Sequence, residues 1–445
     1  MKDEAPGIMY SASYKRYVIG VLLIVYICNY VDRQILALLM EPIRREFRLS
    51  DTQMGFLSGP AFVLFYATMG IPIARYADRK NRVNIISVSI AIWSGMVMLS
   101  GVAGSYWYLL LARVGVGIGE AGCTPPAQSL IADYCSPIER TRALSIYLLG
   151  LPLGVLVSYL LGGWINQAFG WRMAFMVVGF PGLLLAWLVK RTIQEPARYR
   201  SDDTVALTRY RLPIGVVFAT LWHRRALRHL TIAFAIVGTV AASTLAWLPA
   251  FFIRSHGMAT GELGTWLAPV TGVGGGVGIW LGGFLATRYG AHDARFQVRL
   301  LAVSAMLVAP MLVAALLWPE KHTALLLFLP ANLLMFFSLA PLYSLVQGLC
   351  DIRMRATMVA VVMFIQLLFG GGVGGQLVGV LSDAFTSIAH AGALRWAIII
   401  TSLAAPWASV HFWLAGRSIR QDLIEASSEV VPTHASSTSR STIQH

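Results

Sequence analysis

Four charged residues interrupt stretches of the sequence that are otherwise apolar. Asp32 and Arg33 lie in the first apolar run, and Arg113 and Glu120 lie in a later one. An ionised side chain inside a bilayer is costly unless it is paired or hydrated, so such residues usually mark a substrate or ion pathway. Carboxyl groups can exchange protons, and the planar guanidinium of arginine can bind phosphate or carboxylate through two hydrogen bonds. These residue types therefore predict a site for protons and for an anionic group.

The spacing of these residues allows them to converge if both stretches are helical. Arg113 and Glu120 are two turns apart on one face of a helix. Thr124 continues that face, and Asn29 precedes Arg33 by one turn. The alternative interpretation is that the four charges form two ion pairs that only fix the packing of the helices.

The composition predicts that these helices lie in a membrane. Of the 445 residues, 57% are hydrophobic and 13% are charged, whereas soluble domains carry about 25% charged residues. Apolar runs of about 20 residues, which can span a bilayer, predict an all-α membrane protein with twelve transmembrane helices in two six-helix bundles. The predicted helices are 17–39, 53–76, 83–103, 106–133, 141–165, 172–190, 229–252, 262–287, 297–317, 322–347, 356–381 and 393–416.

The charges in the loops predict the orientation of the chain. Most of the 35 Lys and Arg residues fall in loops on the side that holds both termini, and such loops are usually cytoplasmic. The net charge of +14 is explained by the orientation of the chain in the membrane and by contact with anionic lipid head groups. No nucleic-acid partner is therefore expected. The predicted organisation is a cytoplasmic N-terminus, an N-terminal six-helix bundle, a cytoplasmic linker, a C-terminal six-helix bundle and a disordered cytoplasmic tail, at 1–16, 17–190, 191–228, 229–416 and 417–445.

An internal repeat supports this division into halves. The glycine-rich stretch 55–79 has a counterpart at 264–288, and 140–143 has one at 353–356. The two matches occur in the same order and at a similar offset, as in many secondary transporters that are built from structural repeats.

Several motifs resemble those of a known transporter family. The loop after the second predicted helix is similar to the loop signature of the major facilitator superfamily, through Ala74, Asp78, Arg79 and Arg82, although Ala74 and Asn81 replace the usual glycines. The segments NYVDRQIL at 29–36, RVGVGIGEAG at 113–122 and PPAQSLIADYCSPIERTRA at 125–143 resemble the spinster branch of that superfamily. This resemblance is strongest over about residues 15–200.

The resemblance implies a proton-coupled secondary transporter of amphiphilic lipids, lysophospholipid or sphingoid-like, that works by alternating access. It implies that Asp32 and Glu120 couple transport to protons and that the two arginines face the substrate head group. The complete set of predicted substrate-binding residues is Arg33, Arg113, Asn29, Thr124 and Tyr159. For Tyr159, a packed position in the core is the alternative.

Two other functions remain open at this stage. One is a proton-coupled exporter of drug-like amphiphiles or organic anions with the same fold. The other is a lipid scramblase or channel, which would need no proton coupling.

The charged loops on the predicted cytoplasmic side suggest a gate. We expect the residues that latch this face to be Asp78, Arg79, Arg82, Arg140 and Arg142. The alternative is that these charges only orient the chain in the membrane.

Chemistry other than transport is not indicated by the sequence. It contains no nucleotide-binding loop, nucleophile elbow or His/Cys cluster with metal spacing, so neither an enzyme nor a metal site is expected. No cofactor is expected beyond a proton gradient, and the expected partners are the amphiphilic lipid substrate, protons and membrane lipids. We expect a monomer with many membrane passes, in a bacterial-type cytoplasmic (inner) membrane.

Overall fold

A computed structural model describes residues 10–77, 79–196, 213–290, 293–351 and 354–428. Within these ranges the regular structure is entirely helical. Ten of the helical segments are long and apolar enough to cross a membrane. The prediction of an all-α, multi-pass membrane protein is therefore confirmed.

The first half of the described chain, residues 10–196, contains eight helices. Two of the shorter ones begin at side-chain caps: Ser50 and Gln53 form a capping box before the second helix, and Ser136 and Glu139 form one before the seventh. The helices are α1 (Ala12–Phe47), α2 (Asp51–Ser58), α3 (Pro60–Ala77), α4 (Arg82–Gly101), α5 (Tyr106–Glu120), α6 (Thr124–Tyr134), α7 (Pro137–Leu148) and α8 (Gly150–Thr192).

The second half, residues 213–428, contains the remaining helices. Two of its long segments include a π-helical stretch, at Ala268–Val273 and at Leu368–Gly374, a feature that often marks functional regions of helices. The α-helices are α9 (Ile214–His223), α10 (Arg225–His256), α11 (Thr260–Leu267), α12 (Gly274–Gly290), α13 (Ala294–Leu317), α14 (Lys321–Phe337), α15 (Leu339–Gly348), α16 (Arg355–Leu367), α17 (Gly375–Ala389), α18 (Ala393–Ser402) and α19 (Ala404–Ser428).

The chain reverses direction within α8. At Gly170 the backbone is non-helical with φ of 83°, a value that glycine adopts without a steric penalty. Before this residue the helix packs on α1, where the Ser158 hydroxyl donates to the Val31 carbonyl at 3.1 Å. After it the helix packs on α4, where a Cβ at Gly179 would lie 2.7 Å from Met98.

Several predicted boundaries are wrong. Helix α1 is longer than the predicted 17–39, and the predicted helix 106–133 is broken between α5 and α6. The last helix reaches Ser428 and so extends into the predicted disordered tail 417–445. The reason is that this polar segment contacts the bundle: Ile419 is fully buried, and Asp422 accepts the backbone N–H of Ala226 at 2.7 Å.

The two halves meet closely at one end of the bundle. We call this the closed end; it is the end at which α1 finishes and α2 begins. There a Cβ at Gly264 would lie 2.1 Å from the Tyr159 carbonyl oxygen, and one at Gly163 would lie 2.5 Å from that of Thr260. Glycine at both positions lets the backbones of α8 and α11 touch.

The opposite end, the open end, lacks this close packing. Along α3, none of the residues from Leu64 to Tyr76 is buried. The side chains of Ile71 and Tyr76 are 56% and 57% exposed. The two halves therefore part toward the end at which α1 begins.

We predict that Gly264→Ala pushes α8 and α11 apart, because the added methyl group overlaps the Tyr159 carbonyl oxygen. Overpacking of this kind should destabilise the state in which this end is closed by about 1–3 kcal/mol. Distances between spin labels on the two halves should lengthen at the closed end. Gly276→Ala is the matched control, because nothing lies within 4 Å of its Cβ. Identical distances in both variants would show that this contact does not hold the closed end together.

Candidate functional site

The four membrane charges predicted from the sequence come together inside the first half. The Nε atom of Arg33 lies 2.5 Å from Oε2 of Glu120. Asp32 interacts electrostatically with Glu120 and with Arg113. We call these four residues the charge cluster. Glu120, Asp32 and Arg113 are 0%, 2% and 3% exposed, so the cluster is shielded from solvent on most sides.

Glycines on α5 bring this helix close enough to its neighbours to bury the charges. A Cβ at Gly117 would lie 2.7 Å from the Phe62 carbonyl oxygen of α3, and one at Gly119 would lie 2.7 Å from the Trp93 backbone nitrogen of α4. Both positions fall between Arg113 and Glu120. The sequence between the two charges therefore fixes α5 against the bundle.

The hydrogen bonds of the cluster are incomplete. The cluster and the adjacent Asn29 contain buried atoms without a normal hydrogen bond: both amide atoms of Asn29, Oδ1 of Asp32, Nε of Arg113 and Oε1 of Glu120. Buried polar groups in folded proteins are almost always satisfied, and an ion pair that only fixes packing is stable only when its remaining hydrogen bonds are made. The cluster therefore has free capacity for a proton, water or a ligand.

Aromatic rings surround the outer arginine of the cluster. The guanidinium carbon of Arg33 lies 5.4, 5.1 and 4.7 Å from the ring centres of Tyr30, Phe62 and Tyr66. Cations are attracted to aromatic faces at such distances. The Arg33 side chain is 19% exposed, so it is the cluster member that reaches solvent. Sequence reasoning missed these rings, although Tyr30 precedes Arg33 by one helical turn.

A cavity of about 190 Å³ lies between the two halves beside the cluster. Tyr30 lines this cavity, and its ring also packs against the guanidinium group of Arg33. The cavity and the charge cluster are therefore neighbours. The other lining residues come from both halves and are mostly apolar: Gln34, Leu151, Pro152, Val155, Leu245, Thr271, Gly272, Gly275, Gly276, Ile279 and Phe336.

The remaining predicted substrate residues lie in different surroundings. Asn29 is fully buried beside Glu120. Thr124 begins α6, immediately after the turn that follows Glu120, and is half-buried. Tyr159 is 1% exposed and packs in the apolar core, so it does not face the cavity between the halves in this conformation.

Where the structure describes them, the predicted gate residues form no salt bridge between the halves in this conformation. Asp78 lies outside the described residues. Arg82 is buried and bonds to Asp133 at 2.5 Å and to Glu195 at 2.7 Å, both within the first half. The other described members are exposed, and the Arg140 guanidinium donates to the Ala132 carbonyl oxygen at 2.9 Å; they are Arg79, Arg140 and Arg142. Their role as a latch concerns a state in which the open end closes, and it stays a prediction.

A charged latch that the sequence analysis did not identify joins the halves at the closed end. Arg254 of the second half donates to both carboxylate oxygens of Asp51 at 2.7 Å and also binds Glu41. Asp383 accepts the backbone N–H groups of Asp51 and Thr52 at 3.0 and 2.8 Å, and so caps α2 from the other half. The available signal in the sequence is the pair of acids Glu41, near the end of α1, and Asp51, at the start of α2.

Known proteins support the architecture. The Major Facilitator Superfamily family model matches residues 22–375. An MFS-type efflux pump of Mycolicibacterium smegmatis is 33% identical, over 92% of this chain and 94% of its own. The sphingosine-1-phosphate transporter of Danio rerio is 30% identical, over 53% of this chain and 47% of its own.

A solved structure gives the same picture. It is that of a bacterial homolog of the human lysosomal transporter Spinster, in an inward-facing and unoccupied conformation. It matches with a TM-score of 0.84 and 30% identity, and the match covers 93% of this chain and 99% of that chain. Together with the motifs at the charge cluster and the two-half fold, these similarities show that the chain belongs to the major facilitator superfamily as a spinster-like member, and that it is a transporter and not an enzyme.

Proposed function

We propose that this protein is a proton-coupled secondary transporter of single-chain amphiphilic lipids, lysophospholipid or sphingoid-like, that works by alternating access. The observation that carries the proposal is the charge cluster: two arginines and two carboxyl groups with unsatisfied hydrogen bonds, next to an apolar cavity between the halves. The name of the related Danio rerio transporter, which specifies a phosphorylated sphingoid lipid, is consistent with it.

Charge balance gives the coupling mechanism. With both carboxyl groups ionised, Arg33 and Arg113 are neutralised and the cluster has no net charge. A proton on Asp32 or Glu120 leaves one positive charge in surplus, and a proton on Glu120 also weakens the hold of this residue on Arg33. An anionic head group then binds more strongly to the protonated cluster. Such differential binding is what allows a ligand to shift a conformational equilibrium.

The position of each arginine suggests a division of labour. Arg33 reaches the solvent-exposed side of the cluster and lies against Tyr30, which also lines the cavity. It is the better candidate for direct contact with the head group. Arg113 is more deeply buried and interacts with both acids, which suits a residue that holds the acids in place. The apolar cavity wall would receive the start of the acyl chain.

The proposed topology has twelve membrane crossings with both termini in the cytoplasm. The reversal at Gly170 divides the segment Arg142–Thr192 into two crossings, and α5 with α6 forms one more. The loop charges favour a cytoplasmic position for the end that holds the termini, in a bacterial-type inner membrane. The closed end then faces outward and the conformation is inward-open. Asp78, Arg79, Arg82, Arg140 and Arg142 would latch the inner side in the opposite state.

The remaining expectations are part of the same proposal. The carrier would work as a monomer with no cofactor, using the proton gradient.

The second candidate function is proton-coupled export of drug-like amphiphiles or organic anions, which the related Mycolicibacterium smegmatis efflux pump favours. Transport into liposomes that responds to a pH gradient would separate either carrier from a scramblase or channel.

We predict that Asp32→Asn or Glu120→Gln abolishes the stimulation of transport by a pH gradient in proteoliposomes. Each variant removes one titrating group of the cluster and nearly preserves its shape. Lipid exchange without a gradient should be partly retained. Glu139→Gln is the control, because this acid is exposed and glutamine also completes a capping box. Full pH stimulation in both cluster variants would place proton coupling elsewhere in the chain.

We predict that Arg33→Ala weakens binding of a lysophospholipid by about 2–5 kcal/mol, because the head group would be left without its charged partner. Arg33→Lys should restore only part of the affinity, because lysine cannot bind phosphate through two parallel hydrogen bonds. Arg16 is an exposed arginine near the start of α1, and Arg16→Ala should bind the lipid normally.

Acyl-chain length gives the second part of this test. Each methylene that leaves the apolar cavity should cost up to about 0.8 kcal/mol of binding, measured with lysophospholipids of decreasing chain length. Affinity that ignores chain length, or that follows small water-soluble anions, would contradict the lipid substrate and favour the organic-anion exporter.

A further inference from the structure

A second groove lies on the surface of the second half, far along the chain from the charge cluster. It is formed by the start of α13 and the middle of α19, and it has a volume of about 250 Å³. This is the end of the bundle at which α1 begins. We call it the arginine groove, and its lining residues are Arg295, Val298, Arg299, Trp413, Gly416 and Arg417.

The arginine groove has unused positive charge. Within the described chain, none of its three guanidinium groups forms a salt bridge, and Nε of Arg295 is buried without a hydrogen-bond partner. Arg417 instead stacks on Trp413, with 3.8 Å between its guanidinium carbon and the ring centre. This arrangement holds Arg417 along the wall of the groove.

An acid beside the groove already has hydrogen-bond partners. Asp293 binds the side chain of Arg420 at 3.0 Å and the backbone N–H of Arg295 at 2.9 Å. The Arg420 guanidinium holds the pKa of the Asp293 carboxyl below its usual range. Asp293 is therefore ionised; it pairs with a fourth arginine and also attracts Arg295, whereas the charges of Arg299 and Arg417 have no salt-bridge partner in the described chain.

The surface beside the groove is apolar and faces away from the protein. One turn beyond Arg299, Val303 is 57% exposed, and on the facing helix Val410 and Trp407 are 48% and 60% exposed. A free phosphate would gain nothing from such a surface, whereas acyl chains would cover it. Trp413 lies where this surface meets the charged groove, a position typical of aromatic residues at the membrane interface.

We propose that the arginine groove binds the phosphate head group of an acidic membrane phospholipid, whose acyl chains lie along α13 and α19. Basic pockets between transmembrane helices are suited to such head groups. Gly416 adds no side chain to the groove, and a Cβ there would lie 3.6 Å from Val298, so a larger side chain at this position would enter the groove. This lipid is distinct from the transported substrate, because the groove belongs to the second half alone and does not share a residue with the charge cluster or its cavity.

Native mass spectrometry of the purified full-length protein tests the proposal, with phosphatidylglycerol as the probe and phosphatidylcholine as the neutral comparison. The wild type should prefer phosphatidylglycerol. The double variant Arg299→Gln/Arg417→Gln should lose affinity for it by about fivefold for each arginine. Arg288→Gln removes an exposed arginine near the same end of the second half, outside the groove, and should bind as the wild type does.

Three results would overturn the proposal. The first is equal phosphatidylglycerol binding by the double variant and the wild type. The second is an equal loss in Arg288→Gln, which would mean that only the overall charge attracts the lipid. The third is competition by glycerol phosphate at the concentration of the lipid, which would identify a site for free phosphate.

A variant with unchanged charge provides an independent measurement if the double variant is unstable. Gly416→Leu fills the groove and keeps all three arginines. It should reduce phosphatidylglycerol binding while the thermal melting temperature confirms that the protein is folded. Normal binding by folded Gly416→Leu would also contradict the proposal.

Discussion

The ion pair between Arg33 and Glu120 lies in the interior of a membrane protein, where Glu120 is fully buried and Arg33 reaches solvent only at its 19% exposed edge. Such a pair is stable only if close packing and further hydrogen bonds offset the loss of hydration. The glycines of α5 and the aromatic rings around Arg33 provide the packing and part of the electrostatic compensation. The hydrogen bonds remain incomplete. A site that is stable enough to form but not fully satisfied can respond to a proton or a ligand.

This local property is connected to the global conformation through the cavity. Tyr30 touches Arg33 and also lines the space between the halves, so a change at the cluster reaches the surface on which the halves meet. At the closed end the halves are joined by charged and hydrogen-bonded contacts centred on Asp51. These contacts are polar and mostly buried, so opening this end requires water or new partners to replace them. An interface of this kind suits a protein that must alternate between two arrangements.

Much of the fold and the core of the site could be predicted from the sequence. The charges at 32, 33, 113 and 120 stand out because an apolar background makes each of them costly, and helical spacing places them on common faces. The aromatic partners of Arg33 did not stand out, because tyrosine and phenylalanine are common in membrane helices. The break after Glu120 is marked by Gly122 and by Pro125 and Pro126 at the start of α6, but the apolar run continues across it, which favours the prediction of one continuous helix.

Two further features could not be derived because they depend on tertiary contacts. Arg254 and Asp51 are 203 positions apart, and nothing local to either residue identifies its partner. Residues 417–428 look like a polar tail, yet one side of this segment packs against the second half through Ile419 and Asp422. Whether the predicted gate residues pair across the open end depends on the conformation. The same sequence adopts both conformations, so it does not indicate which one is present.

Proton uptake on lipid binding tests the central claim most directly. If a protonated cluster binds the anionic head group more strongly, then binding of the head group must favour protonation, because coupling between two ligands is reciprocal. Calorimetric titration of the protein with a lysophospholipid, in two buffers of different ionisation enthalpy, measures this exchange. The account predicts proton uptake by the wild type and none by Asp32→Asn/Glu120→Gln. Identical heats in the two buffers for the wild type, or undiminished uptake by the double variant, would contradict it.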